Sequence, residues 1–124
     1  MRAENISPTG WLLESDIKFS VHADAPVIFP NSMQLIGTAV NRTTRTGYVL
    51  GPKHRLAPTV ALKAMTLWPA CQHFEEKTKG SLEVGKLADL VILDKNPLTV
   101  EPATIKDIKV VETIKEGKTV FAAK

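Results

Sequence analysis

The chain has 124 residues, enough for one domain with a real core and far too few for a complete barrel enzyme. Hydrophobic residues make up 44% and charged residues 23%, the balance of a folded globular protein and not of a disordered chain. The net charge of +3 is spread along the sequence without a basic cluster, which argues against a nucleic-acid partner.

No run approaches the ~20 apolar residues that cross a bilayer, so no membrane role is expected. Cys71, the single cysteine, has no internal partner for a disulfide, and Met1 leads into Arg2-Ala3-Glu4-Asn5 without an apolar stretch of signal-peptide length. A reducing cytoplasm is the expected compartment.

In chain order, Lys18 to Asp24 alternates imperfectly between apolar and polar residues and stops at Ala25-Pro26, the pattern of one short strand. Pro26 and Pro30 make the next segment extended or looped. Met33, Ile36 and Val40 then fall at helical spacing, with Asn31 or Ser32 as cap, predicting a helix that ends near Arg45-Thr46-Gly47. Gly51-Pro52 marks a loop, and Pro58 opens a second helix through Leu62, Met65 and Trp68. Pro69 removes a backbone donor, so a break is expected there, with a short further helix from Pro69 to about Glu76.

Beyond Lys79 the pattern becomes that of strands. Ser81 to Val84 is read as one, Gly85-Lys86 as a turn, and Ala88 to Asp94 as an apolar strand buried on both faces, with Asp89 and Asp94 marking its ends. Pro97 and Pro102 delimit a loop. Ile108 to Ile114 alternates as a further strand, Glu116-Gly117 reads as a tight hairpin turn, and Thr119 to Phe121 returns as its partner. The front supplies too few elements to cover both sides of such a sheet, so either a further portion or a second copy of the chain is needed to complete it.

The run Lys79-Gly80-Ser81-Leu82-Glu83-Val84-Gly85-Lys86-Leu87-Ala88-Asp89-Leu90-Val91-Ile92-Leu93-Asp94 resembles the closing segment of the amidohydrolase superfamily. Two stretches narrow the resemblance to the amidohydrolase-3 (YtcJ-like) branch: Val21-His22-Ala23-Asp24-Ala25-Pro26-Val27, and Ile108 through Phe121. Ala39-Val40-Asn41-Arg42 and Glu75-Glu76 also look like family positions. The resemblance implies an α/β fragment, in which the last strand and helices of a (β/α)8 barrel (residues 1–78) precede strands of a small composite β-sandwich (residues 79–124).

It also implies a metal-dependent hydrolase acting on carbon–nitrogen bonds other than peptide bonds, with a small-molecule substrate and Zn²⁺ or another divalent cation as cofactor. Asp24 then lies at the end of the eighth barrel strand, on the face where barrel enzymes carry their chemistry. There it would be the catalytic carboxylate and, with His22 two residues away on the same strand face, a metal ligand. The family's first-strand His-x-His pair and its other ligands lie in barrel parts that these residues do not include. Since zinc takes about three protein ligands in a catalytic site, the chain alone is expected to be inactive.

Each feature also has a plainer reading. Asp24 before Ala25-Pro26 is a common turn arrangement, and His22 reads more simply as a hydrogen-bonded histidine near the site. His54 and His73 lack ligand-spaced neighbours, Cys71 reads as a small buried hydrophobe, and Glu75-Glu76 as a solvated pair. Gly80 to Lys86 has a phosphate-loop spacing, but Leu87 stands where a Ser or Thr is required and no helix follows. The alternative to a hydrolase portion is a stand-alone, non-catalytic homodimer formed by pairing or exchanging strands, and a weaker one is a subunit complementing a separately encoded barrel.

Overall fold

The computed structural model describes residues 2–124. Helices α1 (Thr9–Glu14), α2 (Ser32–Asn41), α3 (Pro58–Met65) and α4 (Leu67–Gln72) precede an antiparallel sheet of β1 (Leu90–Leu93), β2 (Val110–Lys115) and β3 (Lys118–Ala122) in spatial order β1-β2-β3. Short 3-10 turns occupy Ala3–Asn5, Pro52–His54 and Pro102–Asp107. The result is a small α/β chain.

Helix α2 starts where its side chains dictate. Asn31 is extended, and its side-chain oxygen accepts the Gln34 amide at 3.1 Å, satisfying a donor that the first turn leaves free. Met33, Ile36, Gly37 and Val40 form its buried face. The helix ends at Asn41, four residues or more before the predicted end at 45–47. Arg42 turns left-handed (φ 50°), and the β-branched Thr43, Thr44 and Thr46 favour the small reversal closed by the Thr43–Val49 bridge over a further helical turn.

Pro58 sits at the first position of α3, as its fixed φ favours. The break comes at Thr66 (φ −130°, ψ −80°), upstream of the predicted position. The pyrrolidine of Pro69 would collide with the carbonyl four residues earlier, at Met65, so the first helix stops there. Pro69 is then absorbed in the first turn of α4, where a missing N–H costs nothing.

Ser81 to Val84 forms no strand, and neither does Lys18 to Asp24. Strands need ladder partners, and for the latter segment the described residues offer one long-range backbone bond, from the Val21 N–H to the Ala64 carbonyl at 3.2 Å. The C-terminal hairpin forms as its sequence directs, with Glu116 (φ 48°) and Gly117 (φ 76°) both left-handed in the two-residue turn. Asp89 and Asp94 pin the two ends of β1 to its neighbour. Their Oδ1 atoms each accept a backbone N–H at 2.8 Å, from Glu116 in the hairpin turn and from Lys109 just before β2.

The core gathers Phe19, Met33, Ile36, Val40, Leu56, Ala61 and Ala64 with Ile105 and Ile108, so residues from either side of position 79 share one interior. Gly37 is the point of closest approach. A Cβ there would lie 3.1 Å from the Lys106 amide nitrogen, and Asn41 Nδ2 donates to both the Gly37 and Pro102 carbonyls at 2.8 Å. The sheet is less well covered. Leu93 reaches the core, but Val91 and Ile92 are 54% and 44% exposed, against the expectation of a strand buried on both faces, because among the described residues no element packs closely over them.

Ile105 is fully buried and Val120 is 61% exposed, so their truncations should diverge. Ile105→Ala is expected to lower the free energy of unfolding by about 2–5 kcal/mol, and Val120→Ala by no more than about 0.5 kcal/mol. Urea denaturation followed by circular dichroism measures both.

Candidate functional site

His22 and Asp24 lie in the loop between α1 and α2. Asp24 takes a left-handed backbone conformation (φ 53°), followed by a cis Ala25-Pro26 peptide. Its amide donates to His22 Nδ1 at 3.1 Å, so the two expected site residues are joined through the backbone of one and the ring of the other. With Nδ1 accepting, the neutral ring carries its proton on Nε2. Metal ligation through either nitrogen would require this bond to be exchanged, since a ligating nitrogen needs a free lone pair. Both side chains are exposed.

His22 lines a cleft of about 380 Å³, bounded by the 6–9 segment, the 21–28 loop and α2; Asp24 stands outside it. Among the described residues no group of three or more His, Cys, Asp or Glu side chains could hold a metal ion. A larger groove of about 660 Å³ runs between α3, α4 and β1, distant in the chain from His22 and Asp24. Its walls are apolar residues such as Leu62, Leu67 and Leu90, and two of its charged groups, Glu75 and Lys79, are paired with one another at 2.8 Å. Among the described residues no metal-holding group lies there and neither expected site residue lines it, whereas His22 lines the smaller cleft, which is the better candidate.

Arg42 fixes the cleft's wall. Its guanidinium donates to three main-chain carbonyls, Leu50 at 2.7 Å, Ser7 at 3.1 Å and Ile6 at 2.6 Å, tying the N-terminal segment to the end of α2. The fork of a guanidinium can hold three carbonyls at once; an ammonium cannot match it. Nearby, Glu4 accepts the Tyr48 hydroxyl and the Gly51 amide, and these bonds, the hydroxyl's first, hold its carboxyl below the usual range and push the Tyr48 phenol up.

His54 was not expected to matter, yet its side chain is fully buried. Nδ1 accepts the Gly10 amide at 3.2 Å, Nε2 faces Asn5 Oδ1 at 3.4 Å, and the Trp11 ring stands edge-on at 5.2 Å. The sequence gives one hint of this packing, the side-chain-free Gly10, where a Cβ would come within 2.9 Å of the imidazole. The remaining candidates stay peripheral: His73 is exposed, Cys71 is free and half-buried, and Glu76 has one buried, unpartnered carboxylate oxygen where a solvated side chain was expected.

The sequence model described as "Amidohydrolase family" matches residues 1–121. An N-substituted formamide deformylase from Arthrobacter pascens is 28% identical over 110 residues, which are 89% of this chain and 20% of that protein. Protein LONG AFTER FAR-RED 3 from Arabidopsis thaliana is 37% identical over 86 residues, 68% of this chain and 15% of its own length. The chain thus spans a fifth or less of the curated relatives it matches. The crystal structure of an amidohydrolase from Thermotoga maritima superposes with a TM-score of 0.68 at 24% identity, covering 94% of this chain and 26% of that one, which shows a shared fold.

Arg42→Lys should loosen the cleft wall without unfolding the chain. Residues 3–9 are expected to exchange amide hydrogens about tenfold faster, the worth of roughly one charge-assisted hydrogen bond, while 110–122 keep their protection. Hydrogen-exchange mass spectrometry reads both segments in one experiment.

Proposed function

The chain belongs to the amidohydrolase family, and from that membership we propose that it forms the C-terminal portion of a metal-dependent hydrolase acting on carbon–nitrogen bonds other than peptide bonds. The family match across residues 1–121 carries this reading. The relative named for deformylation of N-substituted formamides supports a small amide as substrate class, since loss of the formyl group breaks a carbon–nitrogen bond.

In this reading Asp24 is the proton-transfer group. Its carboxylate accepts a proton from the attacking water and returns it to the leaving nitrogen, and its exposed position at the mouth of a loop allows both transfers. A divalent cation, zinc or another, would acidify that water when bound. Asp24 and His22 offer two donors against the about three that zinc takes, so the residues present fit such an ion only in part and the other donors would lie outside the chain. His22, bonded through Nδ1 to the Asp24 amide, holds the backbone that aims the carboxylate, and it could join the ligand set only by giving up that bond.

The 124 residues alone are therefore expected to show no zinc-dependent hydrolysis of an N-substituted formamide, followed as formate release. Joined to a barrel portion that supplies the other ligands, the chain gains activity, and Asp24→Asn then lowers kcat by about 100- to 10,000-fold. Turnover by the isolated chain, or an Asp24→Asn variant as fast as its parent, contradicts the assignment.

A further inference from the structure

The N-terminal segment 3–14 is held to the body of the molecule at three places: Glu4 accepts from Tyr48 and Gly51, and two further side chains reach it from the body. One is Arg42, already described. The other is His54, seated on the 3-10 turn Pro52–His54 and in contact with the segment on three sides: Asn5 before it, Gly10 against Nδ1, and Trp11 edge-on. The Thr9 hydroxyl donates to the His54 carbonyl at 2.5 Å, and Lys53 Nζ lies 4.8 Å from the Trp11 ring centre, so α1 docks on this turn, with Leu12 packed against the core.

The direction of the Gly10 bond makes the docking conditional. Nδ1 accepts a backbone N–H, and a protonated imidazole has no lone pair to accept with. Two donors would then face one another in a space with no exposure to water, where the lost bond and the buried charge are both costly. A proton can therefore be taken up only as Gly10 moves away. We infer that His54 is a proton-operated latch, closed on segment 3–14 when its ring is neutral and released when the ring is charged. Ile6, Ser7 and Thr9 line the cleft that His22 also lines, so release opens one wall of that cleft. The inference stands on the packing of this chain and does not depend on the proposed hydrolysis.

Burial and the two nearby cations act in the same sense. Burial holds the imidazole below its ordinary value of 6.5, and Lys53 beside it and Arg42 at the end of α2 oppose a second proton. Glu14, at the end of α1, favours the proton but is the weakest of these influences. Glu4, on the 3-10 turn Ala3–Asn5, is committed to the Tyr48 hydroxyl and the Gly51 amide. The sign follows: the released segment binds the proton at the ordinary value and the docked one only at lower pH. Docking is thus fully present above pH 6.5 and weakens as the pH falls below it.

Hydrogen-exchange mass spectrometry on the whole chain, corrected for intrinsic pH dependence, tests this between about pH 7.5 and about pH 5. Peptides from 3–14 should lose about tenfold in protection relative to 110–122 as the ring charges. In His54→Gln, whatever its level of protection, that pH step should vanish. Loss of protection in both segments together, no change in 3–14, or an unaltered step in the variant overturns the latch. An NMR titration of the unmodified chain needs no variant: the His54 ring should titrate below 6.5 in step with loss of the Gly10 amide signal. Titration at the ordinary value with that amide undisturbed counts against it.

Discussion

The contact between α2 and the 102–108 segment organises the molecule. It brings Ile36 and Val40 against Ile105 and Ile108, and it works because Gly37 presents no side chain where the Lys106 backbone passes. At a spacing of 3.1 Å from a modest Cβ to the Lys106 nitrogen, any larger side chain would have to push the turn outward and open the interior. Asn41 locks the same crossing from one end by bonding both partners' carbonyls. Through this contact the end of the chain becomes part of the same core as its helices, and the sheet hangs from that core by Leu93 and the Asp94 bond to Lys109.

Much of this was legible where local chemistry decides the outcome. A two-residue Glu116-Gly117 turn between alternating segments specifies a hairpin by itself, and an Asn at a helix start satisfies a donor wherever the helix lies. Helix α3 opened at Pro58 for the same reason. The 88–94 strand finds its distant partner in β2, but two other strand patterns do not. Lys18–Asp24 and Ser81–Val84 have strand patterns but no strand beside them, and a pattern fixes which faces would be apolar without supplying a ladder. The break near Pro69 moved upstream because the ring obstructs the turn before it, a three-dimensional constraint that a breaker residue marks only to within one turn.

The candidate site divides in the same way. That Asp24 and His22 lie close follows from their spacing, but the bond between them does not run as a strand face would have placed it: it uses the Asp24 backbone, made available by a left-handed φ. His54 escaped notice because nothing within a few residues of it signals burial. Its partners, Asn5, Gly10 and Trp11, lie more than forty positions away in sequence. Buried polar hubs of this kind are satisfied by backbone groups from other segments, which carry no sequence signature.

The packed core and the candidate site occupy largely different parts of the chain. The helices, Phe19, Leu56 and the 102–108 segment share one core. The 27–29 stretch and the outer sheet surface are not covered: Phe29 is 89% exposed, and Val91, Ile92, Val120 and Phe121 all stand at least 44% exposed on the sheet. Apolar side chains in such positions gain only part of what full burial would give. Asp24, the proposed proton-transfer group, lies in the same loop as the exposed Val27 and Phe29. Asp24 is bonded to this apolar run, its carbonyl accepting the Val27 amide at 2.9 Å, so an element packed on Val27, Ile28 and Phe29 would lie beside the candidate site.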